Sequence, residues 1–160
     1  MELYLKQRVF SWTDRFTVYD AAGSDLYHVE GEFFSWGKKL HILEPNGRET
    51  AFIHQKVFSF LPRYYISRGG ADVAEVVKAF TFFHQRYDVA GLDWTAEGDF
   101  WAHEYAIHQN GQQLAAISKK WFSWGDAYEI HIENGIDPVN VLAVVLVIDA
   151  CLESAQNNGN

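Results

Sequence analysis

Residues 139–152 restrict what this chain can fold into more than any other stretch. Only Asn140 and Asp149 are not apolar there, and 141–148 reads Val-Leu-Ala-Val-Val-Leu-Val-Ile without a break. Asp137 is a good N-cap and Pro138 suits the first helical position, so a helix is predicted over about 137–156. Six β-branched residues among those fourteen would also suit a buried strand. Length and the cap favour the helix. Asn140 and Asp149 lie nine residues apart and so fall on opposite sides of it, which leaves no wet stripe. A helix apolar all round belongs in a protein interior or in lipid. The unbroken run is well short of the ~20 residues that span a bilayer, so the expectation is a core helix covered by the rest of the chain.

What precedes it reads as strands broken by short turns. Strands are expected over 2–10, 16–19, 25–34, 39–43, 49–59 and 64–68, then over 73–82, 86–89, 92–101, 104–109, 113–122 and 128–132. Asn46-Gly47 and Asn110-Gly111 carry the strongest hairpin signals. The two sets of six resemble each other. Val29-Glu30-Gly31-Glu32-Phe33 recurs as Ala96-Glu97-Gly98-Asp99-Phe100. Asn46-Gly47 recurs 64 residues later, as do Lys56-Val57-Phe58-Ser59-Phe60 (as Lys120-Trp121-Phe122-Ser123-Trp124) and Tyr64 (as Tyr128). Ordered matches at nearly constant spacing indicate an internal repeat. The chain therefore divides into half-repeats at about 1–70 and 71–136, a helix at about 137–156 and a polar tail at 157–160, with 1–156 expected to form one domain.

Twelve strands and one wholly apolar helix have one arrangement that leaves little apolar surface wet. Closing the strands into an antiparallel barrel removes the sheet edges. A barrel of more than about eight strands leaves a lumen, and a helix is roughly 10–12 Å across with its side chains. The fold expected is thus mainly β, a closed twelve-stranded antiparallel barrel of two six-stranded halves around a central hydrophobic C-terminal helix. With its core filled, such a barrel would bind ligands at a mouth, in a surface groove or on loops.

Several segments carry a family resemblance. Phe80-Thr81-Phe82-Phe83, the run from Gly98 to Tyr105, Lys119-Lys120-Trp121-Phe122-Ser123-Trp124 and the closing 144–151 helix resemble the LURP-one-related family over essentially the whole chain. The resemblance implies the Tubby C-terminal-domain fold, which is shared with phospholipid scramblases. Tubby domains bind phosphoinositide headgroups through a Lys/Arg cluster, and no such cluster can be matched here residue by residue.

The chemistry legible in the sequence is sparse. His103 and His108 are five apart, which puts them off one face of a helix and on opposite faces of a strand, so they do not form the two-histidine zinc motif. The remaining histidines are scattered singly. No Gly-x-Ser-x-Gly elbow and no glycine-rich phosphate loop before a helix occurs, and the serines of the Phe-Ser-Trp segments fit turns. These absences favour a non-enzymatic protein, with an unrecognised hydrolase as the alternative; no cofactor is expected. A single cysteine, Cys151, lies in the apolar segment and reads as an inert thiol. A formal charge of −8 disfavours nucleic acid.

Basic residues instead gather beside the aromatic tripeptides. Lys38, Lys39, Lys56, Lys119 and Lys120, with Trp36 and Trp124, are the expected ligand-binding residues if those segments converge at one barrel end. Cations with tryptophans suit lipid headgroups, phosphoinositides or other anionic lipids among them; a small anionic ligand and a protein are the other partners weighed. A competing reading leaves these lysines as solvated exterior positions, and a further one makes the protein scramblase-like, with its C-terminal segment in the bilayer. The N-terminus lacks the form of a signal peptide, so the cytoplasm is expected. Asp149 is expected either in solvent at the barrel mouth or paired with a cation inside, because a lone buried charge is expensive.

Overall fold

The helix start has the form its sequence promises. In a computed structural model of the chain, which describes residues 1–6, 15–32, 35–80, 84–122 and 125–159, Asp137 adopts an extended conformation and its carboxylate accepts from Val139 N at 2.9 Å. With Pro138 at the first position, α1 then runs over Pro138–Asn158. It is two residues longer than expected, since Asn157 and Asn158 of the polar tail continue the last turn. Arg68 ties this end down, donating to Asp137 at 2.8 Å and to Asn140 at 2.7 Å. Every residue from Val141 to Leu152 is buried.

The wall around it is one antiparallel sheet closed on itself. Its strands are β1 (Glu2–Lys6), β2 (Phe16–Tyr19), β3 (Asp25–Gly31), β4 (Lys39–Leu43), β5 (Glu49–Gln55), β6 (Arg63–Arg68), β7 (Ala71–Phe80), β8 (Gln85–Ala90), β9 (Trp94–Asp99), β10 (Glu104–Gln109), β11 (Gln112–Phe122) and β12 (Gly125–Ile132). Neighbours in sequence are neighbours in space, and β1 closes the circle on β12 from Glu2 opposite His131 to Lys6 opposite Ala127. The amino group of Met1 extends that seam by donating to Ile132 O at 2.9 Å. Alternation places one face of each strand in the lumen: Leu3 and Leu5 on β1, Leu40 and Ile42 on β4, Tyr105 and Ile107 on β10 are all buried. These residues and the helix form a single hydrophobic cluster. The fold is the closed twelve-stranded barrel around a C-terminal helix that the patterning implies. β-branched residues do not turn the segment into a strand, because a closed wall leaves it no edge to pair with.

Differences fall at strand ends. The strand expected over 49–59 stops at Gln55, and Phe58 takes a left-handed backbone (φ 62°) that no strand continues. The strand expected over 92–101 is only Trp94–Asp99, flanked by Asp93 (φ 55°) and a turn over 100–103 that ends in His103 (φ 54°). His103 is therefore a turn residue, not a strand residue. The two Asn-Gly hairpins also differ. Asn110 and Gly111 both have positive φ, as a type I′ turn requires, whereas Pro45 gives the first hairpin a different geometry with only Gly47 left-handed. Gly47 N donates back to Glu44 O at 2.8 Å, and a bulge follows at Leu43.

Strand direction gives the barrel two unlike ends. β1 starts at what we call the base, so every odd strand ends, and every even strand begins, at the opposite end, the rim. The helix enters from β12 at the base and finishes at the rim. Hence the described loops over 35–38 and 56–62, the turn over 100–103 and the helix C-terminus share the rim. Of the aromatic tripeptides, Ser35-Trp36 and Phe58-Ser59-Phe60 fall at connections of that end; Phe10–Trp12, Phe34, Ser123 and Trp124 lie outside the described residues.

Candidate functional site

The rim combines aromatic side chains that face water with lysines that are mostly engaged. Trp36 is 82% exposed, Phe58 95% and Phe60 fully, with Val57 and Trp101 also open to solvent. The loops carrying Trp36 and Phe58 touch, since a Cβ on Gly37 would come within 3.1 Å of Val57. Lys38, from the same loop as Trp36, reaches inward and binds Glu153 at 3.0 Å and the Ala150 carbonyl at 3.4 Å, capping the last turns of the helix. Lys39 pairs with Glu32 at 3.5 Å and Lys120 with Glu129 at 3.7 Å. Lys119 accompanies Lys120 on β11, and its backbone N–H donates to the Glu104 carboxylate. Lys56 is exposed with no ion pair among the described residues. The structure thus brings Lys38, Lys56 and Trp36 together at the rim, puts Lys39 beside them on β4 and places Lys119 and Lys120 on the wall of the other half.

Just below the rim lies a polar layer inside the barrel. Tyr64, Tyr87, Tyr105 and Tyr128, near the rim ends of β6, β8, β10 and β12, all point inward and are buried. Tyr128 donates to Asp149 Oδ2 at 2.7 Å. Asp149 is consequently buried rather than solvated at the mouth, and the partner its burial demands is the Tyr128 hydroxyl rather than a lysine or arginine among the described residues. Burial pushes its carboxyl up to about 7, against the opposing pull of the Tyr128 hydrogen bond. Its other oxygen, Oδ1, stands 3.8 Å from His103 Nδ1, and neither atom has a hydrogen-bond partner among the described residues. The His103 ring lies flat on Tyr128, with centroids 4.5 Å apart and planes at 12°. Burial, then the Lys119 charge, holds this imidazole below its ordinary value. Cys151 is buried in the same layer, and burial raises its thiol to about 12, so it is inert.

Outside this layer a shallow groove runs down the wall from the rim, lined by His84, Gln85, Glu97, Gly98, Asp99, Phe100, Trp101 and His108. Its shape rests on Gly98 (φ 139°), where a Cβ would come within 2.6 Å of Glu104 O. That close approach sends Phe100 inward, edge-on to Tyr87 at 4.9 Å. The groove gathers two histidines and two carboxylates, and among the described residues no Ser, Thr or Cys lines it to serve as a nucleophile. His103 and His108 part company, one over Asp149 and one in the groove, and among the described residues no three His, Cys, Asp or Glu side chains converge on a metal position.

Sequence reasoning missed Phe58, Phe60 and Trp101 as surface residues. It missed the tyrosine layer too; the spacing of Tyr64 and Tyr128, 64 residues apart, was the available signal.

Comparison with known proteins agrees with this architecture. An X-ray structure of an Arabidopsis thaliana protein superposes with a TM-score of 0.69 at 16% identity, covering 93% of this chain and 89% of that one, which shows the shared Tubby-like fold. The uncharacterized Bacillus subtilis (strain 168) protein YxjI is 39% identical over 152 residues, 95% of this chain and 94% of its own length. A family profile described as LURP-one-related matches residues 1–149, and with a whole-length relative beside it the chain belongs to the LURP-one-related family.

Proposed function

We propose that this protein is a non-enzymatic cytoplasmic binding module whose working surface is the rim, and that the rim docks on a lipid bilayer at headgroup level. One observation carries the reading. Of the six exposed large hydrophobic residues among those described, five (Trp36, Val57, Phe58, Phe60 and Trp101) sit on rim loops, and only Met1 is at the base. Scattered exposed apolar residues need no explanation, but large aromatics collected on neighbouring loop tips do. Tryptophan with lysine is the pairing that bilayer interfaces favour. Since Lys38, Lys39 and Lys120 already face carboxylates, apolar insertion contributes more than charge.

Vesicle flotation tests this. The protein is expected to float with phosphatidylcholine vesicles at about 0.15 M salt and more strongly when phosphoinositide is added. Burying an aromatic ring contributes about 2 kcal/mol, so Phe58→Ser with Phe60→Ser should abolish flotation while leaving the fold intact. Lys119→Glu with Lys120→Glu should remove only the phosphoinositide increment. Failure of the native protein to float with any vesicle overturns the reading and favours a protein partner at the same loops.

The scramblase-like alternative needs α1 itself in lipid. By length and composition α1 is able to cross a membrane. Entry would require withdrawing 141–152 from a closed wall, so flotation by this route would resist alkaline extraction, whereas rim docking would not.

A further inference from the structure

His103 and Asp149 present two buried, unpartnered atoms to each other across 3.8 Å. Left apart, they cost the desolvation of both; brought about 1 Å closer, they form a charge-assisted hydrogen bond. Three features make the approach adjustable. The Asp149 side chain is only 7% exposed and sits on a packed helix, so it cannot move outward, while the His103 ring keeps 16% exposure and so an edge open to water. His103 ends a short turn, held by its N–H to Phe100 O at 3.2 Å and by Ala102 N to Asp99 Oδ1 at 3.0 Å, and its backbone is left-handed. Finally, its ring rests on the Tyr128 ring, whose hydroxyl already fixes the other carboxylate oxygen, so the partner's position is set in advance.

We propose that His103 and Asp149 hold one proton between them and form a pH-dependent latch on the 100–103 turn, setting where Trp101 stands at the rim. With the proton bound the pair is neutral overall, whether the proton lies on nitrogen or oxygen, and the Nδ1–Oδ1 hydrogen bond closes the turn down. When the proton leaves from Nε2 at the exposed edge of His103, Nδ1–H still faces Oδ1, but the pair now carries a net negative charge in the tyrosine layer. Water must then enter past the imidazole to solvate it, and the turn lifts. The groups facing the pair are Tyr128 on β12, Tyr105 on β10, Tyr87 on β8 and Cys151 on α1, with Lys119 on β11 facing His103. Burial raises the phenols and the thiol far above neutrality, so they stay uncharged while the pair titrates. Burial, and after it the Lys119 charge, disfavour imidazolium at His103.

The latch regulates the rim proposed above as the docking surface, but its test uses no lipid, so it stands or falls separately from flotation. In the full chain labelled with nitrogen-15, the Trp101 indole N–H and the His103 ring nitrogens are followed from pH 5 to 9. The Trp101 signal is expected to shift with one midpoint near 7 and in step with His103. Asp149→Asn should abolish the Trp101 shift in a folded chain and return His103 to an independent titration below its ordinary value. His103→Gln, which removes the titrating ring, should leave Trp101 without pH response as well. A Trp101 signal that is constant with pH, or that titrates unchanged in Asp149→Asn, overturns the latch.

Discussion

Replacing Asp149 by Asn isolates the most costly group in the interior. The carboxyl is raised from 3.8 to about 7 by burial, a little over three pH units. At about 1.4 kcal/mol per unit, ionisation of Asp149 makes the folded state lose about 4 kcal/mol relative to the unfolded chain. The sign follows from the direction of the shift. A raised folded value means that the contribution is fully present below the unfolded value near 4 and is lost as pH rises to about 7, beyond which it stays lost. Asparagine has the same shape, and its carbonyl oxygen still accepts from the Tyr128 hydroxyl, so the substitution removes the titration and little else. Urea unfolding of both proteins at one-unit steps from pH 4 to 9 gives the difference directly. The two should agree within about 1 kcal/mol at pH 4, and Asp149→Asn should be the more stable by about 4 kcal/mol at pH 8. A variant that is less stable than the native protein at pH 8 would refute the reasoning, because it would mean that a cation compensates the carboxylate.

Other perturbations probe the wall and the plug. Leu142→Ala, in the middle of the enclosed helix where the side chain is fully buried, should cost about 3–4 kcal/mol in chemical unfolding. Gly98→Ala forces a Cβ against backbone of β10 and should lower stability by about 3 kcal/mol, while Gly111→Ala, which meets nothing within 4 Å, should cost no more than about 1 kcal/mol for its positive φ. Arg68→Ala removes the two hydrogen bonds that fasten the helix start, and thermal melts should show a loss of about 1–2 kcal/mol.

The barrel was legible because two signals forced it. A helix without a polar stripe must be enclosed, and strands without a covering layer of their own must close, so 139–152 and the repeated strand pattern together left few alternatives. The site was less legible for reasons of the same kind. Lysine spacing places Lys38 beside Trp36, but only the fold shows that its ammonium turns inward to Glu153 and the Ala150 carbonyl. Likewise Asp149 announces an expensive burial, yet its resolution through Tyr128, 21 residues away, and His103, 46 residues away, depends on strand register and on a left-handed turn residue that no pattern marks. The exposure of Phe58 and Phe60 was hidden by hydrophobicity itself, which reads as strand continuation until the backbone at Phe58 turns out of the sheet.

Because Cys151 is the single thiol and lies in the enclosed stretch, its reactivity reports on the enclosure without any substitution. Under native conditions a small disulfide reagent in excess should label it no faster than the chain unfolds globally, with urea accelerating labelling along the unfolding transition. Labelling complete within the mixing time, in the absence of denaturant, would show the helix open to solvent and contradict the central claim that a closed wall of strands surrounds it.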